Sequence, residues 1–391
     1  MPACILIADD EPDLKPLILQ RFRRRITSGE LDFVFAKDGE QALQILESNP
    51  AIELVITDIN MPVMDGLTLL SKIASLPRLL KTVIVSAYDD MENIRTAMNR
   101  GAYDFLTKPI DFGDLEKTID KTRVELAILR QGQEAQKKLS VLDHELEVAT
   151  KIQFSILPEI ISDRDEFEIS ATMLAARQVS GDFYDFFFID QNRLGLAIGD
   201  VSGKGIPAAL FMAVSRTLLR ATALRGVSPA VCLEEISRVL LKQSKGEVFL
   251  TLFYGILDLT TGELEFSAGA QTPPYMFSPF HSGKFLREPG GIMLGLLEEA
   301  VYGTGTALLL PGEGIIFYTD GITEAEDGHG EFFLERRLQT SAEDAKLSGV
   351  QKIVSTLVDD IQTFTGGQPQ SDDITLLAIR YRPNNEQIEE G

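Results

Sequence analysis

The chain has 391 residues, enough for two or three domains that each bury their own core. Its formal net charge of −22 argues against a nucleic-acid binder and against adhesion to anionic lipid. With 2 cysteines and 3 histidines, neither a disulfide framework, a zinc cluster nor a histidine metal site is expected, and Cys4 and Cys232 suit a reducing, cytoplasmic setting. No apolar run approaches about 18 residues, so no membrane span is expected. The opening "MPACILIADDEP" reads as a first strand and not as a signal peptide.

Through residues 1–122 the apolar runs "CILIAD", "FVFAKDG", "LVITD", "TVIVSA" and "DFLTKP" alternate with helical patterns such as "GEQALQILES" and "MENIRTAMNRG". This βα repeat predicts an α/β domain, a doubly wound five-stranded parallel sheet buried on both faces. Asp9 and Asp10 end the first strand, Asp58 the third, Ser86 the fourth and Lys108 the fifth. In an open parallel sheet these carboxyl ends meet in a crevice at the topological switch point. Carboxylates clustered there suit Mg2+, a hard cation that prefers oxygen ligands and keeps positions open for water and phosphate.

These residues resemble the receiver domain of two-component response regulators, in "DD" at 9–10, "DINMPVMDG" from Asp58, "SA" at 86–87 and "KP" at 108–109. The resemblance implies that Asp58 accepts a phosphoryl group as an acyl phosphate, from a sensor histidine kinase or a phosphotransfer protein. It implies Mg2+ on Asp9 or Asp10, Asp58 and the Asn60 carbonyl, with Lys108 and Ser86 on the phosphoryl oxygens. Phe105 matches the aromatic switch position; as a plain core phenylalanine it would need no such role.

From Phe112 the pattern changes to apolar residues at three- and four-residue steps, Leu115, Ile119, Leu126 and Leu129, then Leu139, Leu142, Leu146, Ala149 and Ile156. Residues 123–158 read either as a solvated linker helix or as a dimeric coiled coil whose seam is interrupted by Gly132 and "RQGQEAQKK". Pro158 ends the helix.

Residues 159–384 alternate hairpin-like strands with blocks of helix, which predicts an α+β sandwich, and "TTGE" and "PGEG" read as hairpin turns. The acidic segment 385–391 reads as a disordered tail. Aspartates edge four apolar segments: Asp182 and Asp185 in "VSGDFYDFFFI", Asp200 in "LAIGDVSGKG", Asp320 in "YTDGITEA", and Asp372 and Asp373 in "SDDITLLAI". The "GKG" turn does not fit a nucleotide-binding Walker frame, because Gly205 stands where that frame needs Ser or Thr. Carboxylates from several segments suit a pair of hard cations, which lower the pKa of a bridging water and polarise a phosphoryl group for in-line attack.

The segments "ATKIQFSILPE", "VSGDFYD", "GDVSGKG", "YTDGITEA" and "DDIT" look like the metal-dependent protein phosphatases of type 2C, in the bacterial RsbU/SpoIIE-like branch. The resemblance implies an αββα sandwich with two Mn2+ or Mg2+ ions on Asp182, Asp200, the Val201 carbonyl, Asp320 and Asp372. By the same resemblance Asp373 belongs to that metal site as a support, and Asp185 stands behind it. It also implies a phosphoserine or phosphothreonine substrate, in this branch a STAS-type anti-sigma factor antagonist. "AGAQTPP" departs from the pattern "AGHNPP", with Ala270 and Gln271 in place of a histidine. Two readings follow: a receiver-controlled phosphatase, dimeric through its linker, or a non-catalytic adaptor that docks a sigma factor or its regulator.

Overall fold

The computed structural model describes residues 2–87, 90–159, 164–287 and 290–382. The predicted tail at 385–391 lies outside the described residues. The chain divides into two compact units, Met1–Val141 and Leu142–Gly391.

The first unit runs β1 (Ala3–Ala8), α1 (Leu14–Arg21), α2 (Arg23–Thr27), β2 (Leu31–Ala36), α3 (Gly39–Ser48), β3 (Ile52–Asp58), α4 (Gly66–Ile73), β4 (Lys81–Ala87), α5 (Met91–Asn99), β5 (Asp104–Lys108) and the start of α6 (Phe112–Ile156). Its strands are parallel in the order β2-β1-β3-β4-β5. Successive strand residues are buried on opposite faces, which is why the strands read as unbroken apolar runs. Ile5, Ile7, Leu54 and Ile56 pack with Ile18, Leu115 and Ile119, and Leu6, Ala8 and Val55 with Ala42, Leu46 and Leu69. The strand order reverses between β1 and β3, so the switch point lies where Asp9, Asp10 and Asp58 stand. Asp38 and Asp65 cap α3 and α4 by accepting the N–H of Gln41 and Thr68. Gly132 and the polar run around it do not interrupt α6, which ends at Ile156, ahead of Pro158.

The second unit takes the last turns of α6 and continues through β6 (Phe167–Leu174), β7 (Phe183–Phe188), β8 (Arg193–Val201), α7 (Ile206–Ala223), α8 (Pro229–Ser244), β9 (Leu250–Asp258), β10 (Glu263–Gly269), β11 (Tyr275–Phe277), β12 (Lys284–Phe285), β13 (Gly305–Leu308), β14 (Gly314–Tyr318), α9 (Asp320–Thr323), α10 (Leu334–Ala345), α11 (Val350–Thr365) and β15 (Ile374–Tyr381). Two antiparallel sheets form, β13-β10-β9-β8-β7 and β12-β11-β14-β15-β6. Phe186, Leu196, Ile198 and Phe253 from the first meet Phe317, Leu377 and Ile379 from the second. Met212, Leu219, Leu233 and Ile236 of α7 and α8 cover the outer face of the first sheet. Leu338, Leu357 and Ile361 of α10 and α11 cover the second. The layers are therefore αββα.

"TTGE" does join a hairpin, β9 to β10. "PGEG" does not: β13 pairs with β10 while β14 pairs with β11 and β15, so this turn carries the chain from one sheet to the other. A turn sequence specifies a reversal of direction, and the partner strand is chosen by which apolar face must be buried. Among the described residues no helix is long and apolar enough to cross a membrane.

Candidate phosphoryl-acceptor and metal sites

In the first unit, carboxylate oxygens of Asp9, Asp10 and Asp58 lie within 4.8 Å of one another. The Lys108 ammonium reaches in from the end of β5, 2.7 Å from Asp58 Oδ2, 2.8 Å from Glu11 Oε1 and 3.3 Å from Asp9 Oδ2. Burial alone would lower the Lys108 pKa, but its bonds to Asp58 and Glu11 outweigh that and raise it. Burial pushes the Asp9 carboxyl up, and its buried Oδ2 makes no hydrogen bond of good geometry, the Lys108 ammonium standing 3.3 Å away. Three converging carboxylates, one with an unsatisfied buried oxygen, fit a hard divalent cation.

The loop behind Asp58 is held by close backbone approach. A Cβ on Gly66 would fall 2.1 Å from the Asp58 carbonyl oxygen, so the glycine of "MDG" cannot be replaced without moving the site. The Asn60 N–H faces Asp58 Oδ1 at 3.4 Å. Ser86 is buried at the end of β4, and its hydroxyl bonds Asp90 at 3.4 Å, not Asp58. Phe105 is 39% exposed, which overturns its reading as a plain core residue.

In the second unit the strand register places the acids. Phe183 pairs with Gly199, which leaves Asp182 opposite Asp200 at the open end of β7 and β8. Tyr318 pairs with Leu376, which brings Asp320 and the Asp372–Asp373 pair to one end of β14 and β15. Thr319 joins the two sheets: its hydroxyl donates to Asp182 Oδ2 at 2.7 Å and accepts the Thr375 N–H at 3.0 Å. A Cβ on Gly321 would lie 1.9 Å from the Asp373 carbonyl oxygen, so the "TDG" glycine lets α9 begin against the Asp372–Asp373 segment that leads into β15.

The electrostatics are those of anions held together without enough cations. Burial and the neighbouring Asp200 push the Asp182 carboxyl well above the usual carboxylate range. Asp200 is pushed up to about 7, by burial first and then by Asp320. Burial and Asp372 raise Asp320. Lys204 sits 2.9 Å from Asp372 Oδ2 and donates to the Ser371 carbonyl. Among the described residues no three of these acids bring ligand atoms as close together as the first unit does, Thr319 holding Asp182 and Lys204 holding Asp372. An all-oxygen donor set under mutual repulsion fits Mn2+ or Mg2+.

Two further acids are held by partners around the cluster. Asp373 accepts from the N–H groups of Ala176 and Gly181 and from the Ser180 hydroxyl at 2.7–2.8 Å, so both oxygens anchor the 176–181 loop. Asp185 is buried against Arg216 at 3.1 Å and Arg220 at 3.5 Å, away from any ligand role. Other residues at the site escaped sequence reasoning. Thr319 precedes Asp320 in a quoted motif, and Gln153, a buried polar residue in the apolar "KIQFSIL", donates to the Ser180 carbonyl. Gln271, in the departing loop, links Thr251 of β9 to the Tyr318 carbonyl of β14.

Fold and sites define a receiver domain followed by a type 2C protein phosphatase domain. Residues 5–120 match the response regulator receiver domain and residues 190–382 match the SpoIIE family, that of stage II sporulation protein E. The chain is 29% identical to the phosphoserine phosphatase RsbU of Bacillus subtilis, over 61% of this chain and 70% of RsbU. It is 28% identical to the protein IcfG of Synechocystis, over 61% of this chain and 41% of IcfG. The fold of the SiaA-PP2C domain of Pseudomonas aeruginosa covers 63% of this chain and 98% of that domain, with TM-score 0.54 and 24% identity. The chain thus spans less than half the length of IcfG.

Proposed function

We propose that this protein is a cytoplasmic response regulator in which phosphorylation of Asp58 controls the release of phosphate from phosphoserine or phosphothreonine in a partner protein. The observation that carries the reading is the convergence of Asp182, Asp200, Asp320 and Asp372 at the ends of two facing sheets, where burial and Asp320 raise the Asp200 carboxyl to about 7. A cation beside such a group favours its anionic form. Asp182, Asp200, the Val201 carbonyl, Asp320 and Asp372 would hold two Mn2+ or Mg2+ ions, which supply Lewis acidity toward the phosphoryl group and activate water. Thr319 orients Asp182, and Asp373 fixes the loop that presents it. Lys204 offers an ammonium at the mouth of the cluster, where a phosphate ester brings negative charge.

In the receiver, Asp58 is the acceptor, Lys108 the cation for the phosphoryl oxygens, and Asp9 and Asp10 with Asp58 and the Asn60 carbonyl the Mg2+ ligands. Ser86 and Phe105 respond to phosphorylation. The phosphodonor is a sensor histidine kinase or phosphotransfer protein, and the substrate is a STAS-type anti-sigma factor antagonist in a partner switch, as the phosphatase family suggests. Residues 1–122 form the receiver, 123–158 the linker and 159–384 the phosphatase. A homodimer through the linker would cover the exposed apolar side chains of Val124, Ile128, Leu139, Leu142 and Ile152 on α6.

The test is phosphate release from a phosphoserine peptide by the full chain with Mn2+. Turnover that disappears in chelator and in Asp200→Ala supports the reading; turnover unchanged in either removes the two-metal chemistry.

A further inference from the structure

Beside the carboxylate cluster of the second unit lies a cavity of about 330 Å³. Leu174, Ala325, Val358, Ile361 and Ile374 form its apolar walls, and Gln362 and Gln368 put amide groups at its mouth. Two of its lining residues, Gly321 and Ser371, are the chain neighbours of Asp320 and Asp372. Its shape depends on the same loop that presents Asp372, because the Gln370 side chain donates to the Leu174 carbonyl at 2.7 Å and to the Asp372 carbonyl at 2.6 Å. Apolar walls with a few polar groups at the rim, in this size range, are the properties of a ligand site.

We propose that this cavity takes one large apolar side chain of the phosphoprotein substrate, close in sequence to the phosphorylated residue. The inference rests on the phosphatase reading above and adds a specificity determinant to it. The occupant follows from position: an extended peptide advances roughly 3.3 Å per residue, so a phosphoserine at Asp320 and Asp372 carries its near neighbours over the cavity mouth. Glu326 at the rim repels an acidic neighbour, and the walls offer a charged or small polar one no partner. The receiver is not involved, so the preference belongs to the second unit in either state of Asp58.

The experiment compares p-nitrophenyl phosphate, which has no flanking residues, with phosphoserine peptides in which one leucine walks through the flanking positions of an otherwise polar sequence. The full chain with Mn2+ should show about a tenfold higher kcat/KM for one leucine position, carried by KM. Val358→Phe, which fills the cavity, should remove that advantage and leave turnover of p-nitrophenyl phosphate unchanged. If Val358→Phe does not fold, Gln362→Trp closes the mouth from an exposed helix position and should do the same. A leucine preference that is absent, or that survives both variants, overturns the proposal. No turnover of p-nitrophenyl phosphate by the unaltered chain would contradict the phosphatase reading itself.

Discussion

Gln153 and Ser180 hold each other by a reciprocal pair of hydrogen bonds: the Gln153 amide donates to the Ser180 carbonyl at 2.6 Å, and the Ser180 N–H donates to Gln153 Oε1 at 2.9 Å. The Ser180 hydroxyl donates to Asp373 and accepts the Asp182 N–H at 3.0 Å. Thr150, one turn earlier on α6, donates to the Gln178 carbonyl. The final turns of α6 therefore grip the loop that sets Asp182. Gln153→Leu leaves two buried Ser180 backbone groups unpaired, each worth about 1–3 kcal/mol. The Mn2+ concentration for half-maximal turnover should rise several-fold, while phosphorylation of the receiver is unaffected. An unchanged metal titration would make the pair a packing contact only.

The raised carboxyls make stability depend on pH in a definite direction. A native carboxyl with an elevated pKa keeps a proton that the unfolded chain releases. The contribution of this carboxyl to metal-free stability is therefore fully present below the ordinary carboxylate pKa and is lost as pH rises through about 7. Thermal unfolding in chelator should show this decline, Asp200→Asn should flatten it, and Mn2+ should restore the alkaline side. A metal-free melting temperature that rises over this range would contradict the electrostatics described.

Asp185 and Arg216 tie β7, which follows Asp182, to α7, which follows the "GKG" turn. Burial raises the Asp185 carboxyl, and Arg216 opposes that. Removing one partner of a buried pair costs about 3–5 kcal/mol. Arg216→Met should fall toward the lower end, since Arg220 remains 3.5 Å from Asp185. Urea unfolding measures this, and a loss no larger than that of an exposed arginine would contradict it.

Much of this was legible in the sequence, because strand ends carry function and apolar runs show where strands end. Asp58, Lys108, Asp182 and Asp200 all stand at such ends. The role of Asp373 was not legible, since "DD" gives no sign of which carboxylate turns toward backbone N–H groups. The Gln153 bonds and the cross-sheet Thr319 bond join residues 27 and 137 positions apart, and no local pattern encodes such pairs. "PGEG" misled for the same reason, because turn chemistry does not name the sheet that receives the next strand.

At the receiver, a small acyl phosphate with Mg2+ should label the full chain at Asp58, and the label should be base-labile. Asp58→Ala should take none, and Lys108→Ala should still fold, because among the described residues the Lys108 ammonium pairs with the acids of the crevice, Asp9, Glu11 and Asp58. Equal labelling of Asp58→Ala would move the acceptor elsewhere.

Control of one unit by the other is the central claim, and a single comparison addresses it: Mn2+-dependent phosphate release by the full chain, with and without acyl phosphate, in the unaltered protein and in Asp58→Ala. The account predicts a rate that rises with the phosphodonor in the unaltered protein and stays at its basal value in Asp58→Ala. The same rate in all four conditions, with Asp58 labelled, would contradict it and leave α6 a passive tether.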